Sequence, residues 1–138
     1  MSNPRPVLPG QCYLLTRRCT QRLMLMRPDR KTNEAFVYCL AVSARKYDIA
    51  VMFTVAMSNH HHTGIVDKHG NFPEFIAHFH KLFAKCQNAH HGRWENFWSS
   101  EQTSAVRLVS PDDILDKLTY SLCNPVNRLL RPCWATRR

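Results

Sequence analysis

The stretch from Asn71 to Gly92 constrains the fold more than any other part of this chain. Asn71 is a good helix cap, Pro73 and Glu74 suit a first helical turn, and Gly92 suits the residue just past a helix end. Between them Phe75, Ile76, Phe79, Leu82, Phe83 and Cys86 recur at helical spacing as one apolar stripe, while His78, Lys81, Lys85 and Asn88 face away. A stripe that aromatic has to be buried against another element. Residues 49–57 offer a partner: Ile49, Val51, Phe53, Val55 and Met57 recur at the period of two that marks a strand and are predicted to share one face. The same run is far too short to span a bilayer.

The remaining segments extend this pattern. Cys12 to Cys19 reads as a strand with Tyr13, Leu15 and Arg17 on one face and Leu14, Thr16 and Arg18 on the other. Thr32 or Asn33 caps a helix through about Arg45, with Phe36, Val37, Leu40, Ala41 and Ala44 as its apolar positions. A turn at Ser58 and Asn59 leads into a strand from His60 to Val66, and Ala105 to Val109 reads as another. Ser110, Pro111, Asp112 and Asp113 mark a helix start, and that helix is expected to stop near Cys123, because the residue before Pro125 disfavours continuation. Its predicted core stripe is Ile114, Leu115, Leu118 and Leu122. The order β-α-β-β-α-β-α predicts an α+β fold, a ferredoxin-like sandwich on an antiparallel sheet with one extra C-terminal helix. No repeat or linker divides the chain, so we expect a flexible lead over 1–10, one domain over 11–128 and a basic tail over 129–138.

Charge narrows the partner. Lys and Arg number 19 against 10 Asp and Glu, a formal net charge of +9, which points to a polyanion. Arg17, Arg18, Arg22, Arg27, Arg30 and Lys31 cluster early; Lys81, Lys85 and Arg93 line or follow the long helix. We assign DNA contact to Arg17, Arg18, Lys81, Lys85, Arg93 and Trp94. Trp94, Phe97 and Trp98 are aromatic enough to stack on unpaired bases, with Trp98 the better fit to a core position. The N-terminus carries no apolar signal segment and the six Cys form no C-x-x-C, which predicts a cytoplasmic protein with reduced thiols and no membrane partner.

Two constellations carry chemistry. His60, His61 and His62 open a strand, where residues two apart face the same way, so His60 and His62 can approach one divalent ion from one side. Three adjacent His also fit a polar turn of exposed imidazoles. On the last helix Tyr120 lies opposite the predicted apolar stripe, in a polar row with Asp113, Asp116, Lys117 and Asn124. Facing a His pair, such a tyrosine is a candidate nucleophile. Apart from one, it is ordinary amphipathic surface.

Together, CYLLTRR near the start, MSNHHH after an apolar strand, RWENFW after the long helix and YSLCNPV on the last helix resemble the single-tyrosine HUH transposases. The likeness is nearest to the REP-associated tyrosine transposases and covers about residues 11 to 128. It implies a metal-dependent endonuclease and strand transferase acting on single-stranded DNA at or beside a hairpin, as a monomer or homodimer. In that resemblance His60 and His62 match the metal-binding His, Asn124 matches a side-chain oxygen ligand, and Tyr120 matches the nucleophile. Mg²⁺ or Mn²⁺ is the implied cofactor, although imidazoles also suit Zn²⁺. The middle of the motif is normally apolar and points into the core; here it is His61, which needs a buried partner. Relatives generally continue beyond NPV, so the resemblance also implies a shortened end. That leaves two other readings: an inactive hairpin-binding remnant, and a small zinc-binding regulator.

Overall fold

The computed structural model describes residues 6–129, with side chains as far as residue 123. The expected lead over 1–10 falls partly outside these residues, the tail over 129–138 almost wholly. In chain order the elements are strand β1 (Gln11–Arg18), a 3₁₀ turn (Thr20–Arg22), helix α1 (Arg30–Tyr47), strands β2 (Ile49–Ala56) and β3 (His60–Asp67), helix α2 (Phe72–His91), strand β4 (Ser104–Leu108) and helix α3 (Pro111–Leu129). The sheet runs β2-β3-β1-β4 and every pairing is antiparallel. This is the ferredoxin-like α+β arrangement with an added helix. None of the described helices is long and apolar enough to cross a membrane.

Helices α1 and α2 cover one face of the sheet. Between them and the strands lies the core, built on Tyr13, Leu15, Phe36, Leu40, Ile65, Phe75, Phe79, Phe83 and Phe97. The predicted alternation of β1 holds: Tyr13 and Leu15 enter this core, while Thr16 turns to the far face and meets His62. Polar ties run through the core as well. The buried Gln87 amide donates to the Thr32 hydroxyl at 3.0 Å and to the Leu25 carbonyl at 3.2 Å, joining the helices across their apolar contact.

Helix starts follow local capping chemistry, not always at the predicted residue. Asp29, rather than Thr32 or Asn33, caps α1, its carboxylate accepting from the Thr32 backbone N–H at 2.7 Å. At α2 the Asn71 side chain makes no cap bond. Buried Asp67, at the end of β3, takes that role: its carboxylate accepts from the N–H groups of Gly70, Asn71 and Phe72, each at 3.0 Å. The strand that carries the three histidines is thereby clamped to the helix that follows.

Three predicted faces are corrected. Strand β2 slips register between Val51 and Phe53, a bulge at Met52, so Phe53 and Val55 share the sheet face of Gly64 and His62 rather than that of Ile49 and Val51. On α1 the buried seam is Thr32, Phe36, Cys39, Leu40 and Ser43, leaving Val37 exposed. Helix α3 settles on Ile114, Lys117, Leu118 and Ser121, leaving Leu115 and Leu122 exposed. It also continues past Pro125 to Leu129 instead of stopping near Cys123; the proline forfeits one intrahelical hydrogen bond without ending the helix.

Candidate active site

His60, His61 and His62 lie on β3, an inner strand held by β2 on one side and β1 on the other. All three imidazoles are buried, which corrects the reading of an exposed polar turn. The turn before them is fastened by backbone bonds: Cys19 N–H to the Asn59 carbonyl, Met26 N–H to the Ser58 carbonyl and Met57 N–H to the His60 carbonyl, each 2.8 Å. Strand alternation then separates the three rings. His61 enters the helix-covered core, and His60 and His62 emerge together on the opposite face with ring centroids 5.0 Å apart.

Each outward ring is oriented through Nδ1. The His60 Nδ1–H donates to the Asn59 amide oxygen at 2.7 Å, and the Asn59 amide N–H reaches the Arg22 carbonyl at 3.4 Å. His62 Nδ1 bonds the Thr16 hydroxyl at 2.9 Å, across the register pair that joins β1 and β3. Its Nε2 is buried with no hydrogen-bond partner among the described residues. Burial, and secondarily the charge of Arg18, lowers the His62 pKa from its ordinary value, so the ring is neutral at pH 7. A neutral imidazole with Nδ1 engaged and Nε2 unpartnered has the donor set of a metal ligand, so this chain's residues fit a divalent ion here. Among the described residues no third His, Cys, Asp or Glu joins the pair. The expected third ligand, Asn124, lies outside the residues whose side chains are described.

Tyr120 arrives from α3, on the same sheet face. Its ring centroid lies 6.0 Å from that of His62, edge-on at 70°, so tyrosine and histidine of one chain share one site. The Lys117 ammonium sits 5.8 Å from the Tyr120 ring centroid. Tyr120 is 58% exposed and therefore open to a large substrate. Arg18, opposite His60 in the strand register, adds positive charge beside the pair. Buried imidazoles, an accessible phenol and flanking cations form a site suited to a phosphodiester.

Comparison with known proteins follows from this geometry. No protein-family model matches the chain, and no curated protein does. Solved structures do match. One is a REP-associated tyrosine transposase bound to a REP hairpin, with a TM-score of 0.76 and 15% identity, covering 93% of this chain and 74% of that one. Another, assigned as a transposase of Deinococcus radiodurans R1, has a TM-score of 0.60 and 13% identity, covering 87% of this chain and 95% of that one. The chain shares its fold with these transposases.

The residues assigned to DNA divide between the two faces of this transposase fold. Arg18 stands beside the histidine pair. Arg17, Lys81, Lys85 and Trp94 instead line a cavity on the helix-covered side, and Arg93 pairs with Glu95 at 3.3 Å. Phe97 belongs to the core and is not available for stacking on bases. Trp98 packs against that core, as expected, and donates its indole N–H to the His80 carbonyl at 2.8 Å.

Sequence reasoning missed Thr16, Asn59 and His80. Asn59 and Thr16 are ordinary turn and strand residues until register places them against a ring nitrogen. His80 is buried and supplies the partner that His61 needed. One signal for it was present, since His80 directly follows Phe79 on the edge of the apolar stripe of α2.

Proposed function

We propose that this chain is a cytoplasmic single-tyrosine transposase, a metal-dependent endonuclease and strand transferase acting on single-stranded DNA at or near a hairpin. The observation that carries the reading is Tyr120 beside His62, 6.0 Å between ring centroids, with His60 on the same face. The solved relative that binds a REP hairpin supports the choice of substrate.

Tyr120 attacks the scissile phosphorus through its phenolic oxygen. A bond forms between that oxygen and phosphorus, and the bond from phosphorus to the 3′-oxygen breaks. The phenolic proton leaves to solvent and the departing 3′-oxygen ends as a hydroxyl. The products are a 5′-phosphotyrosyl protein and a free 3′-hydroxyl, and attack by a different 3′-hydroxyl reverses the step and transfers the strand. His60, His62 and Asn124 would hold Mg²⁺ or Mn²⁺, which when bound would supply charge neutralisation and polarisation of the phosphate. Asn59 holds the His60 imidazole in the ligating tautomer, Thr16 orients that of His62, Arg18 attracts the backbone, and the exposure of Tyr120 admits an unpaired strand.

The test is incubation of the protein with labelled single-stranded hairpin oligonucleotides and Mg²⁺ or Mn²⁺, read by denaturing electrophoresis. A protein–DNA adduct lost in Tyr120→Phe, in His60→Ala and with chelator supports the reading. Salt-sensitive hairpin binding with no adduct identifies an inactive remnant instead. Stoichiometric zinc retained by Tyr120→Phe, with neither adduct nor binding, identifies a zinc-binding regulator.

A further inference from the structure

On the helix-covered side of the sheet, away from Tyr120, a cavity of about 520 Å³ opens between α2, the end of β1 and the segment 94–100. That volume suits a small ligand or one residue of a polymer. Lys81 and Lys85, one helical turn apart, stand on one wall, and Arg17 and Trp98 on another. Trp94 hangs over the mouth and is 94% exposed. Glu95 is the one acidic residue on the lining, and Arg93 already engages it at 3.3 Å.

The walls are built rather than incidental. Arg17 donates to the carbonyls of Ser99, at 3.0 Å, and Glu101, and its guanidinium lies 6.0 Å from the Trp98 ring centroid. Trp98 is tied to the His80 carbonyl and His80 to His61, so the cavity floor is bonded through the core to the strand that carries the histidine pair. Asn88 donates to the Glu95 carbonyl at 3.0 Å and keeps a buried Oδ1 with no partner among the described residues.

We propose that this cavity is a second DNA site that takes one unpaired nucleotide, its base stacked on Trp94 and its phosphates at Lys81 and Lys85. The inference rests on the reading of the chain as a DNA-handling transposase. It adds a place where unpaired substrate is gripped on the face opposite the cleavage chemistry. An exposed aromatic ring beside cations suits unpaired nucleotides, because every base has a stacking face and each phosphate a charge. A duplex, with its bases already stacked, has none to offer Trp94.

The test uses the full chain carrying Tyr120→Phe, so that no adduct forms, and a dye-labelled thymidine hexanucleotide read by fluorescence anisotropy. A duplex of equal length and inorganic polyphosphate serve as competitors. The site predicts that Trp94→Ala weakens single-strand binding about ten-fold. It predicts that Lys81→Ala and Lys85→Ala each reduce the logarithmic salt slope by about 0.7. Because Trp94 is so exposed, its removal leaves the fold intact. Binding unaffected by Trp94→Ala, or displaced by polyphosphate as readily as by single strand, overturns the site. If the parent protein still forms its Tyr120 adduct in that case, the cavity alone is wrong; if it forms none and binds no single strand, the functional reading falls with it.

Discussion

His61 and His80 meet Nε2 to Nε2 at 2.9 Å inside the core. One ring must donate and the other accept; burial keeps both neutral, so they hold complementary tautomers. His61 is anchored at its other nitrogen by the Thr63 hydroxyl at 2.9 Å, which in turn bonds Thr54 at 2.8 Å. Removing one imidazole strands the other without a partner, whereas removing both leaves two apolar side chains. His61→Leu and His80→Leu should therefore each cost about 2 kcal/mol, and the double variant less than the sum by about 1 kcal/mol or more. Urea unfolding of the four proteins in the cycle measures this; strict additivity would mean that the contact carries no coupling.

The same pair sets an acid sensitivity. Burial, then the charges of His62, His60 and Arg17, pushes the His61 pKa down to about 3. Burial, then His61 and Arg17, holds His80 well below its ordinary value. In the unfolded chain both titrate near 6.5. Stability is thus fully present above about pH 6.5 and falls as pH drops toward about 3, because the unfolded state takes up protons that the folded core refuses. His62, lowered by burial, acts in the same direction. Thermal melts from about pH 7 to about pH 4.5 should show a steep fall, shallower in the double Leu variant. Equal slopes in the two proteins would assign the acid sensitivity elsewhere.

Gly64 leaves room for the Phe53 ring. A Cβ at Gly64 would collide with that ring, and the strand register puts both on the face of His62. Gly64→Ala should lower stability by about 1–3 kcal/mol through overpacking and reduce adduct formation as the site face shifts. Adding Phe53→Leu should restore much of both. A Gly64→Ala protein with parental melting and cleavage would show that the ring moves aside freely.

In the proposed site Thr16 and Asn59 would act on the metal through the rings they orient. Thr16→Val and Asn59→Ala should each raise the Mn²⁺ concentration needed for half-maximal adduct about 10- to 100-fold, leaving the adduct at saturating Mn²⁺ less affected. Titration of Mn²⁺ against adduct yield reads this directly. An unchanged midpoint in both variants would remove the argument from ring orientation.

Much of the architecture was legible because local chemistry and global fold agree. The apolar stripe of α2, the alternation of β1 and the Ser110–Asp113 start signal all reappear as expected. What was not legible depends on pairing between distant segments. The bulge at Met52 arises from the register of β2 against β3, and it moves Phe53 to the sheet face of His62. Leu115 and Leu122 satisfy helical periodicity but lie outside the strip by which α3 meets the sheet. His60, His62 and Tyr120 could be named from motifs, yet their meeting in one chain needed three dimensions. His80 illustrates the same limit, since a histidine beside an apolar stripe declares a role only when its partner across the core is known.

Mapping the covalent nucleotide tests the central claim most directly. The chain has four tyrosines, so proteolysis of the adduct formed with a hairpin oligonucleotide and Mn²⁺, followed by peptide mass spectrometry, assigns the attachment to one residue. The account predicts a single 5′-phosphonucleotide on Tyr120, absent in Tyr120→Phe and in His62→Ala. Attachment to Tyr13, Tyr38 or Tyr47, or cleavage of the strand with no covalent intermediate at all, would contradict it.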